Sequence, residues 1–262
     1  MEEEPSFHFE QEQINELRER WNSTLHAVAE KVYAAVGQEL PENITPEELP
    51  SLLEQVTEQK IGEKKDSAKF VVISASAGVG KTTVGQILNS LGMEHLPRVT
   101  TRERRPSEVD GQDYLFIDRP EFEARKGRGD FLYYKETYGE GRGIAKDVFD
   151  KYLASGKKFY AEGDALAYSE IAKQPEYQDV QYQSIFLLPP SFDDMLSRMA
   201  QRTQKETAEG GQEIDQREVM ERLEKGNYYL GESGDHVVSG VYDGFLVNDD
   251  LRRVEEKLRE YV

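Results

Sequence analysis

A four-residue apolar run, Phe70-Val71-Val72-Ile73, opens directly into Ser74-Ala75-Ser76-Ala77-Gly78-Val79-Gly80-Lys81-Thr82, and the residues from Gly80 to Leu91 read as a helix. No other stretch of the 262-residue chain restricts the fold so tightly. A short apolar run without alternation suits a strand buried on both faces. A strand that turns through glycines into a helix is the setting of a phosphate-binding loop. Gly78 and Gly80 let backbone N–H groups converge on an anion, and the helix start adds its positive end. Lys81 supplies a point charge for phosphate oxygens, and the Thr82 hydroxyl suits Mg²⁺. The pattern G-x-x-x-x-G-K-[ST] meets Ala75 in place of its first glycine. A methyl group there is compatible with the motif where the local φ is negative.

From Lys69 onward strand and helix signals alternate, as they do where helical crossovers join parallel strands. Strands are expected at 70–73, 114–117, 131–134, 159–161, 184–188 and 245–247. Helices are expected at 119–126, 145–155, 165–173, 191–201, 215–231 and 250–261. The stretch 201–216, rich in Gly, Thr, Glu and Gln, reads as a mobile loop between two of them. Upstream, Ile14, Leu17, Trp21, Leu25, Val28, Val32 and Val36 recur at helical spacing and predict an amphipathic helix stopped near Gly37. Thr45-Pro46-Glu47-Glu48 predicts a second helix start, with Thr45 as N-cap, Pro46 at the first helical position and Glu48 reaching back. That helix runs to about Gln59 with Leu49, Leu52, Leu53 and Val56 on its apolar face, and 62–67 reads as a linker. The expected organisation is a helical extension over 1–66 and an α/β domain over 67–262. Two short amphipathic helices bury little by themselves. They are expected to pack on the main domain, on each other, or in a homodimer with a second copy.

The formal charge is −18, and residues 1–66 hold 16 acidic against 6 basic residues. More than half the acidic excess therefore lies in the first quarter of the chain, and it reads as a solvated helical surface. Such a balance argues against a nucleic-acid partner, which needs a basic footprint. The lack of cysteine excludes disulfides, thiolate metal sites and cysteine nucleophiles. Met1-Glu2-Glu3-Glu4-Pro5 lacks the basic start and apolar run of a signal peptide, and no apolar stretch approaches the ~20 residues that cross a bilayer. A cytoplasmic protein with no membrane partner is the expectation. The four histidines have no metal-ligand spacing.

Taken alone, Thr100-Thr101-Arg102-Glu103-Arg104-Arg105-Pro106-Ser107-Glu108-Val109-Asp110-Gly111-Gln112-Asp113-Tyr114 is either a solvated charged loop or a phosphate grip built on guanidinium forks. With the segments that follow, it resembles the guanylate kinases, whose pattern T-T-R-x-x-R-x-x-E-V-x-G-x-D-Y it matches throughout. Gly129-Asp130-Phe131-Leu132 is similar to that family's G-E-F-L. Gly156-Lys157 and Glu162-Gly163-Asp164 stand where it has G-K and D-I-D. Phe186-Leu187-Leu188-Pro189-Pro190-Ser191 resembles F-I-x-P-P-S, Arg222-Leu223 the R-L after the lid, and Val247-Asn248-Asp249-Asp250-Leu251 its V-N-D-D-L. The likeness covers about 69–262 and leaves 1–66 outside.

The resemblance implies a P-loop kinase fold: a parallel central sheet flanked by helices, with acceptor-binding and lid insertions. It implies transfer of a phosphoryl group from ATP, with Mg²⁺, to a nucleoside monophosphate, GMP becoming GDP. ATP would be held by Ala77, Gly78, Val79, Gly80, Lys81, Thr82 and Thr83 together with Asn248. Arg102 and Arg105 would bind the acceptor's 5′-phosphate, with Tyr114 adding a hydroxyl and Glu108 steadying the arginines. Glu162 and Asp164 would face the metal and the acceptor, Thr82 and Asp164 being the protein's metal ligands. Lys81, with Arg198, Arg202 and Arg222 as lid and near-lid arginines, would neutralise charge on the transferring group.

Departures from the family pattern gather where the base is read. Arg98 stands in place of a serine, and Tyr133 in place of a glutamate that reads guanine. G-N-Y-Y-G-[ST] becomes Gly139-Glu140-Gly141-Arg142-Gly143-Ile144, so Arg142 replaces a phosphate-binding tyrosine and Ile144 a base-facing hydroxyl. D-x-Q-G becomes Asp164-Ala165-Leu166-Ala167. Arg98, Tyr133 and Arg142 therefore join the acceptor-binding candidates. Three readings stay open: a nucleoside-monophosphate kinase acting on GMP, a kinase of the same plan acting on another phosphorylated small molecule, and a binding or scaffold module. Retention of Lys81, Thr82 and the arginines ranks the last one lowest.

Overall fold

The computed structural model describes residues 10–64, 68–105, 108–137, 139–208 and 216–261. Helices α1 (Gln11–Ala35) and α2 (Leu49–Lys64) precede β1 (Phe70–Ala75) and α3 (Lys81–Ser90). Then come β2 (Glu94–His95), β3 (Arg98–Thr100), β4 (Tyr114–Phe116), α4 (Arg119–Arg128), β5 (Phe131–Thr137) and β6 (Glu140–Ala145). They are followed by α5 (Lys146–Ala154), β7 (Phe159–Glu162), α6 (Ala165–Ala172) and β8 (Tyr182–Leu188). The last elements are α7 (Phe192–Ala208), α8 (Gln216–Val238), β9 (Gly244–Val247) and α9 (Leu251–Leu258).

Five strands make the central sheet in the order β2-β7-β1-β8-β9, each pair parallel. Helices flank it, and the apolar run in β1 is buried as a central parallel strand requires: Phe70, Val71, Val72 and Ile73 are each 2% exposed or less. Phe70 stacks on Phe159 of β7 with ring centroids 4.8 Å apart.

A second sheet, ordered β4-β3-β6-β5, mixes a parallel β3–β4 pair with antiparallel β3–β6 and β5–β6 pairs. Strands β2, β3 and β6 lie outside the expected set. They are short and polar or glycine-rich, with neither an apolar run nor a clean alternation to announce them. One face of this sheet packs under α4, where Val99, Phe122 and Ala145 are buried against Leu115, Ile117 and Phe131. A bulge between Phe131 and Tyr133 resets the alternation. Arg98, Thr100, Tyr133, Lys135, Arg142 and Ile144 consequently share the opposite face.

The N-terminal helices belong to the same hydrophobic core as the central sheet. Ile14, Leu17, Trp21, Leu25, Val28 and Val32 are 5% exposed or less, and α1 packs along α8 with further contacts to α2 and α7. The apolar stripe is thus buried within the chain, and only its last member, Val36, is exposed. Arg18–Asp193 (2.7 Å), Arg20–Glu224 (3.3 Å) and Lys31–Asp235 (2.6 Å) flank this contact. Surface pairs of this kind contribute about 0–1 kcal/mol each and serve mainly to fix register.

Several boundaries differ from expectation, α8 for one running to Val238 rather than 231. Helix α2 starts at Leu49, with Pro50 in the first turn where no N–H is needed. Thr45–Glu48 instead closes a turn ahead of it, the Thr45 N–H donating to Glu48 Oε2 at 2.8 Å. Helix α7 runs on to Ala208, so 201–208 of the expected loop are helical, and 209–215 lie outside the described residues. The expected linker is partly helix, since 62–64 complete α2, while 65–67 lie outside the described residues. Not all of the acidic extension is solvated surface either: Glu54 is 5% exposed and paired with Arg253 (3.0 Å) and Lys257 (3.3 Å).

Helix α2 covers edge strand β9. The Phe245 N–H donates to Thr57 Oγ1 (3.0 Å), whose hydroxyl donates in turn to Leu53 O (2.9 Å). A buried edge N–H that loses its acceptor costs about 1–3 kcal/mol. Thr57→Val is therefore expected to lower stability by that amount, and Thr57→Ser to retain most of it. Urea midpoints at unchanged slope would read this out.

Candidate active site

Strand β1 ends at Ala75, and among the described residues only Asn43 has a positive φ without being glycine. Ala75 therefore has a negative φ, and its methyl replaces the motif's first glycine without strain. Gly80, at φ +97°, forms the N-terminal boundary of α3, and a Cβ on it would lie 2.4 Å from Asn248 Nδ2. The loop is held from three sides. Val79 O accepts from Asn248 Nδ2 (2.7 Å) and Arg198 Nη1 (3.1 Å). The backbone of Gly78 lies so close to Met199 of α7 that a Cβ there would sit 2.4 Å from its Cγ. Ser76 Oγ donates to Gly226 O of α8 at 2.9 Å. No side chain caps the start of α3, which leaves its first N–H groups facing the loop's concavity.

Lys81 Nζ donates to Ala75 O (2.7 Å) and Ser76 O (3.1 Å), so the ammonium lies back across the loop. Burial pushes its pKa down to about 8; the carboxylate of Glu162 opposes that shift, and the charges of Arg202 and Arg98 add to it. Thr82 is exposed on the first turn of α3, and Thr83 half-buried beside it.

Arg102 Nη2 bonds both oxygens of Glu108, at 2.7 and 2.9 Å, and the Arg105 N–H donates to Glu108 Oε2 at 2.9 Å. Arg105 Nη1 lies 3.7 Å from the same carboxylate. Burial works to raise the Glu108 pKa, yet these hydrogen bonds and the two guanidinium charges hold it below the usual carboxylate range. Tyr114 lies under both Arg102 (5.5 Å to the ring centroid) and Arg98 (5.9 Å). Arg102 and Arg105, the Glu108 carboxylate and Tyr114, the residues expected to bind the acceptor phosphate, are thus brought together on one loop and the strands beside it.

At the end of β7, Glu162 pairs in register with Ile73 of β1, and a Cβ on Gly85 of α3 would come 3.0 Å from its Oε1. Gly163 has φ +154°, and a Cβ there would stand 2.5 Å from Arg98 Nη1. The guanidinium of Arg98 lies directly on that backbone. Gly163→Ala is expected to displace Arg98 and reduce acceptor kcat/KM at least ~10-fold while leaving the KM for ATP nearly unchanged. Steady-state kinetics with each substrate varied in turn would test this.

Asp164 does not stand as a free metal ligand. Its Oδ1 accepts the Leu166 N–H (3.1 Å) as N-cap of α6, and its Oδ2 takes Lys135 Nζ at 3.1 Å. Lys135 had no sequence signal, being one lysine within a strand. Arg142 donates to Glu140 Oε2 at 2.7 Å, and Tyr133 packs against the core beside buried Ile144. Burial raises the Tyr133 pKa, and the charges of Asp164 and Glu170 add to that, so its hydroxyl stays protonated.

The arginines divide into two kinds. Arg198, expected as a lid residue, bridges the phosphate loop and Asn248 through Val79 O and Asn248 O (2.9 Å). Its guanidinium is anchored in the floor because α7 lies directly against the loop. Arg202 is exposed one turn further along α7, with its charge felt at Lys81. Arg222 pairs with Glu218 at 2.5 Å, one turn before Gly226 on α8. Among the described residues no three Asp, Glu, His or Cys side chains converge on a metal-sized site, and no helix is long and apolar enough to cross a membrane.

The family described as Guanylate kinase matches residues 67–262. The guanylate kinase of Syntrophus aciditrophicus (strain SB) is 31% identical over 196 residues, 72% of this chain and 83% of the relative. That of Symbiobacterium thermophilum is 30% identical over 201 residues, 76% of this chain and 86% of the relative. That of Neisseria meningitidis serogroup A is 33% identical over 195 residues, covering 73% and 85%. The crystal structure of guanylate kinase from Anaplasma phagocytophilum superimposes with a TM-score of 0.51 at 22% identity, over 74% of this chain and 84% of that one, which supports the fold.

Proposed function

The chain belongs to the guanylate kinase family, and on that premise we propose that it transfers the γ-phosphoryl group of ATP to a nucleoside monophosphate, converting GMP to GDP. One observation carries the reading. Arg98 links the two halves of the site, its guanidinium lying against Gly163, next to Glu162 that faces α3, on one side and over Tyr114, beside Arg102, on the other. A donor loop and an acceptor grip that share a residue between them are arranged for direct transfer.

In this reading the N–H groups of the loop and the start of α3 bind the donor phosphates, and Lys81 leaves its two carbonyl partners to meet them. Arg102 and Arg105, kept in place by Glu108, hold the acceptor's phosphate. That phosphate is already anionic, so no general base has to be found. Arg198, Arg202 and Arg222 offset charge at the transferring group, and catalysis rests on positioning and electrostatics. Mg²⁺ fits as an ion carried chiefly by nucleotide phosphates with the Thr82 hydroxyl as protein ligand, and it would neutralise phosphate charge; Asp164 is committed elsewhere. Residues 67–262 form the catalytic unit. The helices within 1–66 act as a buttress to α7, α8 and β9, and a dimer through them would have to use their charged outer faces.

Glu108→Ala tests the acceptor assignment. It removes the carboxylate that orders both arginines, so the acceptor KM is expected to rise at least ~10-fold, with ATP binding unaffected. An unchanged acceptor KM would show that Arg102 and Arg105 do not hold the acceptor.

A further inference from the structure

The base end of the acceptor site has a charge arrangement that phosphoryl transfer itself does not require. Tyr133 and Ile144 face each other across β5 and β6, and Lys135 and Arg142 are the next pair on the same face. Like charges directly opposite on neighbouring strands repel, and here each carries its own acid. Lys135 holds Asp164 Oδ2, and Arg142 holds Glu140 Oε2. The other Asp164 oxygen caps α6, so each oxygen of this carboxylate already takes one donor and the ammonium of Lys135 competes with a base for it, while Ile144 offers no polar side-chain atom.

A guanine edge presents N1–H and N2–H₂ as donors, and each needs an acceptor in the protein. Donors buried without one lose affinity, because water is given up with nothing in return. This face offers mostly donors instead: the Lys135 ammonium, the Tyr133 hydroxyl and, on β3, the Arg98 guanidinium. Resting on the phosphoryl-transfer reading above, we propose that Lys135, by holding Asp164, is a specificity-determining residue that tunes the site to a base edge of carbonyl oxygens, so that a nucleoside monophosphate with a 2-keto group is taken in preference to GMP.

XMP carries a 2-keto in place of the 2-amino group, keeps N1–H and gains an ionisable N3–H, so UMP, a 2-keto monophosphate whose base is neutral near pH 7, is run beside it to separate the keto group from base charge. Acceptor kcat/KM for GMP, XMP and UMP would be measured at saturating ATP and Mg²⁺ for the wild type, Lys135→Met and Lys135→Arg. The wild type is expected to favour XMP by about 10-fold. Lys135→Met frees Asp164 as an acceptor and should swing the ratio toward GMP by about 10-fold, with the KM for ATP unmoved. Lys135→Arg should keep the wild-type ratio. A wild type that favours GMP overturns the proposal, as does a Lys135→Met variant in which both acceptors fall equally, the mark of a merely structural lysine. If neither acceptor yields ADP, the transfer reading itself fails. Equilibrium competition between GMP and XMP on the protein loaded with a non-hydrolysable ATP analogue then decides this inference alone: tighter XMP sustains it and tighter GMP overturns it.

Discussion

Lys81→Ala is expected to lower kcat/KM for ATP by about 10³-fold or more, the scale set by removing a fixed positive charge from a developing anion in a water-poor site. The residue is poised for this. Its ammonium lies on the carbonyls of Ala75 and Ser76 at the strand–loop junction, a few residues from the positive-φ glycines that shape the anion nest. Lys81→Arg is not expected to rescue, because a planar fork is larger than an ammonium and needs two aligned acceptors. The same residue sets a pH limit. The protonated form is the active one, and in the free protein its pKa lies near 8. As pH rises through about 8 the charge is lost, so kcat/KM for ATP should fall on the alkaline side. That inflection should be absent from the Lys81→Ala profile. Bound phosphate favours the ammonium, so kcat should hold to higher pH than kcat/KM.

Trp21→Ala should lower stability by about 3–5 kcal/mol, the usual cost of truncating a buried aromatic. Trp21 is 2% exposed, its ring centroid lies 6.3 Å from that of Phe192, and it approaches α8 at Gly226, the residue whose carbonyl takes the Ser76 hydroxyl. Because α1 shares the core of the central sheet, the loss should be felt by the whole protein. The chain has a single tryptophan, which makes the test direct. Urea unfolding followed by its fluorescence reports α1, and far-UV circular dichroism reports all elements. The two transitions should coincide in the wild type, and in the variant, which has no tryptophan, the dichroism transition should move to lower urea as a single step. A fluorescence transition well ahead of the dichroism transition would mean that α1 is an appendage that melts by itself.

What could be read from the sequence followed the strength of local signals. The unbroken apolar run of β1 and the glycines after it located the donor loop, and the seven-residue stripe of α1 located a helix. Strand β6, Glu-Gly-Arg-Gly-Ile-Ala, has no such signal, because its glycines face Phe122 and Phe131 and carry no side chain to pattern. Without β6 the two-faced sheet could not be foreseen, nor could the pairing of Lys135 with Arg142 across it. Lys135 is one cation among Tyr-Tyr-Lys-Glu-Thr, and its hold on Asp164 spans 29 positions of sequence. Arg198 was located by motif order, but its anchorage could not be foreseen, since its two carbonyl partners come from distant loops. The extension was legible as helices, while the surface they cover depends on contacts with α8 and β9 some two hundred residues away.

The most direct measurement is ADP and GDP formation from ATP, Mg²⁺ and GMP, separated and quantified together for the wild type and Lys81→Ala. ADP and GDP rising in equal amounts in the wild type, and neither above background in the variant, is the expected result. ATP and GMP that bind but give no GDP, with XMP and UMP equally inert, would contradict phosphoryl transfer and leave a binding module on a kinase fold.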